Sequence, residues 1–168
     1  MIVVLTGQVG AGKSTVCRRL TQLVADSGRT VGGVLTEKDV RGNLTVMDLK
    51  TGDSACLAKR IEESGSIKVG GYFFCPDGIR FGQRAIENSA SADLLLVDEI
   101  GPLEAAGSGF SNVFGILAGV AIKNAVVVIR EAMLPVFKGR LGVHEMVLVN
   151  ADNRDALPGI LEQRLFRA

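Results

Sequence analysis

Short apolar runs alternate along this chain with segments whose apolar positions recur every three to four residues. Residues 2–5 form a β-rich run that ends in a glycine-rich turn. Between residues 14 and 27, Val16, Leu20, Leu23 and Val24 fall at i, i+4, i+7 and i+8, which is one face of a helix. Gly28 supplies its C-terminal stop. Residues 31–37, 44–50 and 54–58 are strand-like and are separated by the turn signals Arg41-Gly42-Asn43 and Thr51-Gly52-Asp53, a spacing that predicts an antiparallel meander. Residues 60–76 show no clear period and read as a loop, after which Asp77 is placed to cap a helix running to about residue 88.

The second half alternates more cleanly. Residues 94–97 are all apolar, as suits a strand buried on both faces. Phe110, Val113, Phe114, Leu117, Ala118 and Ala121 follow at helical spacing, and residues 125–129 and 146–149 read as two further buried strands. Leu157, Ile160, Leu161 and Leu165 make the stripe of a terminal helix, with Pro158 tolerated in its first turn. Strand–helix–strand alternation predicts an α/β fold of three layers, a mostly parallel sheet between helices, here with an antiparallel insertion near residues 34–58. At 168 residues, with no repeat and no linker, one domain is expected.

Composition narrows the partners. Nineteen basic against eighteen acidic side chains leave a net charge of +1. A protein that lives on a nucleic-acid backbone needs a basic surplus to neutralise phosphates, so no nucleic-acid partner is expected. The apolar stretch 113–129 is interrupted by Lys123 and Asn124, and neither remaining piece is long enough to span a bilayer. No membrane partner is expected either. Cys17, Cys56 and Cys75 are odd in number and contain no C-x-x-C pair, which fits a reducing, cytoplasmic setting and argues against a disulfide framework or zinc cage. Gly, at 21 residues, exceeds the average usage of roughly 7%. Such an excess favours tight turns or close backbone approach to a ligand.

Part of that excess lies in Gly7-Gln8-Val9-Gly10-Ala11-Gly12-Lys13-Ser14, which matches the phosphate-binding pattern G-x-x-x-x-G-K-[ST] and stands, as it should, between a strand and a helix. Its glycines let successive backbone N–H groups face one anion, and the helix start adds unpaired donors. Gly7 to Thr15 are therefore the expected nucleotide-binding residues. Lys13 offers a point charge to the β- and γ-phosphates, and the Ser14 hydroxyl is a hard oxygen ligand for Mg²⁺.

A strand of four apolar residues ends in Asp98-Glu99. Ligands in open α/β sheets bind at the carboxyl ends of strands. Asp98 is thus expected beside the P-loop as the Walker-B ligand of Mg²⁺, and Glu99 as the base or water-orienting group. Asp98 to Gly101 also fits D-x-x-G, but the guanine-reading N-K-x-D pattern is absent, since residues 150–153 read Asn-Ala-Asp-Asn. Charge developing on the γ-phosphate needs a basic group, drawn from Arg41, Arg130, Lys138 and Arg140. Arg130, directly after a buried strand, is favoured. Thr36, Glu37 and Glu104 are secondary candidates, residues 150–155 are placed to touch the base or to cap the last helix, and Tyr72, Phe73 and Phe74 either stack on a base or pack in the core. His144 has no visible partner and Cys17 reads as core.

The P-loop, residues 33–37 (Gly-Val-Leu-Thr-Glu), Ala92-Asp93, residues 98–104 (Asp-Glu-Ile-Gly-Pro-Leu-Glu) and residues 153–158 (Asn-Arg-Asp-Ala-Leu-Pro) recur in this order. Together they resemble the small nucleoside-triphosphatases of the thermophile and cancer-related type over nearly the whole chain. The pattern departs at Leu35, at Val46-Met47 and over residues 68–84. The resemblance implies Mg²⁺-dependent hydrolysis of nucleoside triphosphates to diphosphates with broad base tolerance. Two rival readings stand beside it: a P-loop kinase acting on a small nucleoside, nucleotide or cofactor precursor, and a nucleotide-dependent adaptor.

Overall fold

The first apolar run forms strand β1 (Ile2–Thr6), every residue of which is buried. A computed structural model describes residues 1–119, 122–137, 139–142 and 145–167. After the P-loop comes α1 (Lys13–Asp26), then β2 (Val31–Lys38), β3 (Leu44–Asp48), β4 (Ser54–Lys59), β5 (Ile67–Val69) and β6 (Tyr72–Phe74). The chain continues through α2 (Pro76–Glu87), β7 (Leu94–Ile100), α3 (Pro102–Ala105), α4 (Asn112–Leu117) and β8 (Ala125–Ile129). A 3-10 turn (Glu131–Met133), α5 (Leu134–Phe137), β9 (Glu145–Leu148) and α6 (Leu157–Phe166) complete it. Among the described residues the strands make one sheet in the order β5-β6-β4-β3-β2-β7-β8-β1-β9.

Alternation along the strands sorts side chains onto two faces. Val3 and Leu5 of β1 join Val16 and Leu20 of α1 and Leu161 and Leu165 of α6. Ile2 and Val4 turn the other way, to a cluster holding Ile79 and Ile86 of α2 and Val113 and Leu117 of α4. Each fully buried aliphatic side chain contributes about 1.5–3 kcal/mol, so these two apolar layers hold the helices on opposite faces. The stripes expected for α1 and α6 are met with two exceptions: Leu23 (41% exposed) and Ile160 (40%) lie at the rim of their helices.

The sheet is mixed. Its pairings β2–β7, β7–β8, β8–β1 and β1–β9 are parallel, whereas β2–β3, β3–β4, β4–β6 and β6–β5 are antiparallel. The expectation of a mostly parallel sheet therefore holds only for the half around β1. Short turns such as that at Gly42 can return a chain only antiparallel. The antiparallel part also runs further than residues 34–58, because residues 60–76 are not all loop. Gly70 (φ 57°) and Gly71 turn β5 back onto β6, and a Gly-Gly pair is a hairpin signal. Other boundaries move less: α2 starts at Pro76 with Cys75 as N-cap, so Asp77 sits inside the first turn. The helix expected over residues 110–121 is limited to α4, with Phe110 ahead of it and Ala121 outside the described residues. No helix among the described residues is long and apolar enough to cross a membrane.

Candidate active site

Parallel strands deliver their carboxyl ends to one edge, which is where the sequence candidates gather. β8 lies between β1 and β7, so Arg130, just past β8, stands between the P-loop after β1 and the two carboxylates of β7. β2 flanks β7 on the other side and brings Thr36 and Glu37 to the same edge.

The P-loop curls as its glycines allow. Gly7 has φ 145°, and a Cβ there would lie 2.6 Å from the Val149 carbonyl oxygen. Gly12 has φ 100°, and a Cβ would meet the Arg154 side chain at 3.0 Å. The positive φ disfavours any other residue at both positions, and at Gly7 the fixed carbonyl leaves no room for a Cβ. Lys13 is 7% exposed, and its Nζ donates to the carbonyl oxygens of Gly7 and Gln8, each at 2.8 Å. The ammonium is thereby held across the cradle, tied only to neutral acceptors.

Asp98 is 1% exposed. Burial pushes its pKa up to about 7, the Ser14 hydroxyl bonded to it and the Lys13 charge pull the other way, and the neighbouring Glu99 adds to the rise. Its Oδ2 is buried with no hydrogen-bond partner. Glu99 is ion-paired with Arg130, whose Nε donates to Oε1. Ser14, Thr15, Lys13, Glu99 and Arg130 line one cavity of about 320 Å³ with Val9, Gly10 and Gly12. The structure thus brings together the P-loop, Glu99 and Arg130, with Asp98 bonded to Ser14 in the floor beside them.

The secondary candidates divide. Thr36 donates its hydroxyl to the Asp98 carbonyl oxygen, and Glu37 is paired with Arg18 at 2.6 Å. Arg18 lies one turn beyond Ser14 on the same helix, a juxtaposition that i,i+4 spacing makes readable. Glu104 is not at the surface: it is 5% exposed, and its carboxylate accepts the Gly101 N–H (2.7 Å) and the Phe110 N–H (2.8 Å). Burial raises its pKa against the pull of those two donors. This carboxylate fastens the segment after β7, with each oxygen engaged by a backbone amide. Glu104→Ala strands two amides, and a buried amide without a partner costs about 1–3 kcal/mol. Its denaturation midpoint is expected to fall accordingly, and an unchanged midpoint would show that the two amides find other acceptors.

Arg41 and Arg140 sit outside both cavities. Lys138 and His144 lie outside the described residues. In the segment 150–155, Asn150 Oδ1 accepts the N–H groups of Asp152 (2.9 Å) and Asn153 (3.0 Å). These bonds fold the turn itself, and the N-cap of α6 is Ala156, with no side-chain cap, so the helix-capping alternative fails. The same segment supplies a residue that motif reading missed: Arg154, whose stem covers Gly12. Its place directly after a turn that follows a sheet strand is the signal that pointed there. Cys17 is fully buried core, as expected. Cys56 and Cys75 are free thiols with sulfurs 3.1 Å apart, a pairing that a sequence separation of nineteen conceals. Tyr72 and Phe74 are half-buried, with ring centroids 6.3 Å apart, and both line a second cavity beside the first.

A family model described as NTPase matches residues 2–161. The nucleoside-triphosphatase THEP1 of Methanosarcina barkeri is 29% identical over 96% of this chain and 95% of its own length. That of Hyperthermus butylicus is 30% identical over 93% of this chain and 86% of its own. Among solved structures, a human cancer-related nucleoside triphosphatase superposes with a TM-score of 0.77 at 24% identity, covering 97% of this chain and 96% of that one. THEP1 from Aquifex aeolicus gives 0.71 at 22%, covering 99% and 100%. These two likenesses concern the fold.

Proposed function

Because the chain belongs to the NTPase family, whose model spans residues 2–161, we propose that it hydrolyses nucleoside 5′-triphosphates to diphosphate and phosphate, with Mg²⁺ as cofactor and broad tolerance of the base. The observation that carries this reading is the cavity in which Lys13 and the P-loop glycines meet Glu99 and Arg130. Lys13 takes the β- and γ-phosphates in place of the Gly7 and Gln8 carbonyls. Arg130 leaves Glu99 for the charge that develops on the γ-phosphate. Glu99, freed from its ion pair, holds the attacking water in line and receives its proton.

The donor set fits a hard divalent cation. The buried Asp98 Oδ2 lacks a partner, and the Ser14 hydroxyl beside it is a second hard oxygen. Ser14 and Asp98 are the residues that would hold Mg²⁺, which when bound neutralises charge on the phosphate oxygens. Backbone groups and phosphate-directed charges make the cradle, an arrangement that supports indifference to the base. The reading takes residues 1–168 as one working domain, and the three free cysteines favour a cytoplasmic setting.

Phosphate release from ATP, GTP, CTP and UTP, with no acceptor present, tests the proposal. Steady turnover of all four at comparable rates is expected, abolished by EDTA and restored by excess Mg²⁺. Release no faster than in buffer with every nucleotide would overturn it.

A further inference from the structure

Hydrolysis asks the site to admit one water, whose share of liquid volume is about 30 Å³. The cavity adjoining the phosphate cradle measures about 430 Å³. The two share Val9, Ser14, Thr15, Glu99 and Arg130 as a common wall. Beyond that wall the larger chamber is bounded by Leu57, Phe74, Ile79 and Phe110, side chains from which water gains nothing. Arg18, Glu37 and Lys38 at the end of α1's second turn and of β2 supply its polar lining. Tyr72 is steadied by the Arg60 guanidinium 4.0 Å from its ring centroid. Concave, mostly apolar walls with a few polar groups, at a volume within roughly 300–1,000 Å³, are the form of a small-molecule site.

The chemistry at the shared wall constrains what fits. Glu99 faces both chambers, so a hydroxyl entering from the apolar side meets the same base that a water would meet. Aromatic side chains offer stacking to a planar ring, and the charged rim offers partners to the hydroxyls of a sugar. We propose that this chamber binds a nucleoside and that the protein transfers the γ-phosphoryl group of its bound nucleoside triphosphate to the nucleoside's primary hydroxyl. The inference rests on the nucleotide-hydrolase reading, since it uses the same cradle and the same base. In the step, the bond between the γ-phosphorus and the β–γ bridging oxygen breaks as a bond to the hydroxyl oxygen forms. The hydroxyl proton passes to the Glu99 carboxylate and then to solvent. The products are a nucleoside diphosphate and a nucleoside monophosphate.

The test uses the full chain, ATP labelled at the γ-phosphate, Mg²⁺, and in turn adenosine, guanosine, cytidine, uridine and thymidine. Label is expected in the monophosphate of at least one nucleoside, with labelled inorganic phosphate falling as that nucleoside is raised. Tyr72→Ala is expected to raise the nucleoside KM roughly tenfold, the lower part of the range for a lost stacking partner, while Tyr72→Phe, which keeps the ring, holds the wild-type value. Labelled phosphate released with no labelled monophosphate from any of the five overturns this inference and leaves the hydrolase reading standing. Absence of both products overturns the two together.

Discussion

Glu99→Gln is expected to slow single-turnover hydrolysis of prebound ATP by roughly 10²–10⁴, the range for a lost general base, with nucleotide affinity within a few-fold of wild type. Glutamine keeps the shape and one acceptor oxygen but loses the negative charge and the basicity. The carboxylate is one-quarter exposed and paired with Arg130 in the wall of the phosphate cavity, and as an anion it is not among the donors that grip the phosphates. Binding is therefore spared and chemistry is lost. Phosphoryl transfer depends chiefly on positioning and charge, so aiming the water accounts for much of the effect. Single-turnover measurement is the right readout, because steady-state rates mix chemistry with product release. A wild-type rate in this variant would remove Glu99 from the mechanism. Glu37 would then be the carboxylate to test, since both Glu104 oxygens are engaged by backbone amides.

The centre of the parallel half was legible because β1, β7 and β8 are buried on both faces, whereas β9, expected to be buried, lies at the sheet edge with Met146 and Leu148 exposed. Residues 2–5, 94–97 and 125–129 are continuous apolar runs, and a run of that kind between helical stripes has few other interpretations. The hairpin of β5 and β6 was hidden for the opposite reason. Its strands have three residues each, every one of them half-buried or exposed, so no apolar alternation develops and only Gly70-Gly71 marks the turn. That extension adds two antiparallel pairings to those of β2, β3 and β4 and makes the antiparallel part as large as the parallel one, and no local pattern joins it to β4.

At the site, legibility followed covalent adjacency. The P-loop is a contiguous motif, and Asp98-Glu99 closes a strand, so both could be read and placed. Arg130 was readable only through its position after a buried strand. Arg154 and Arg18 were not singled out, since each matters through what lies across from it: Gly12 for one, Glu37 for the other. Glu104 shows the limit most plainly. Its residue type suggested a further site carboxylate or a surface charge, whereas a tight turn beyond β7 recruits it to satisfy two buried amides. The larger chamber, built from β4, β6, α2 and the segment after β7, has no signature in any single stretch of sequence.

Lys13→Ala is expected to weaken ATP and GTP binding tenfold to a hundredfold while the fold persists. The ammonium is buried against two carbonyl oxygens, neutral partners that a phosphate chain outcompetes. A hydrogen bond to a charged group is worth on the order of 1.5–3 kcal/mol, and about 1.4 kcal/mol is a factor of ten in affinity. The remaining donors, the backbone N–H groups of the curled loop, still favour an anion, so binding weakens without vanishing. The loss should also depend on the length of the phosphate chain. Lys13 reaches the β- and γ-phosphates, so AMP, which has neither, is expected to bind wild type and variant alike. Calorimetry with ATP, GTP and AMP, alongside a thermal melt to verify folding, makes the comparison directly. Unchanged affinity for both triphosphates in a folded Lys13→Ala protein would overturn the assignment of residues 7–14 as the phosphate cradle, because no other buried cation lines that cavity among the described residues.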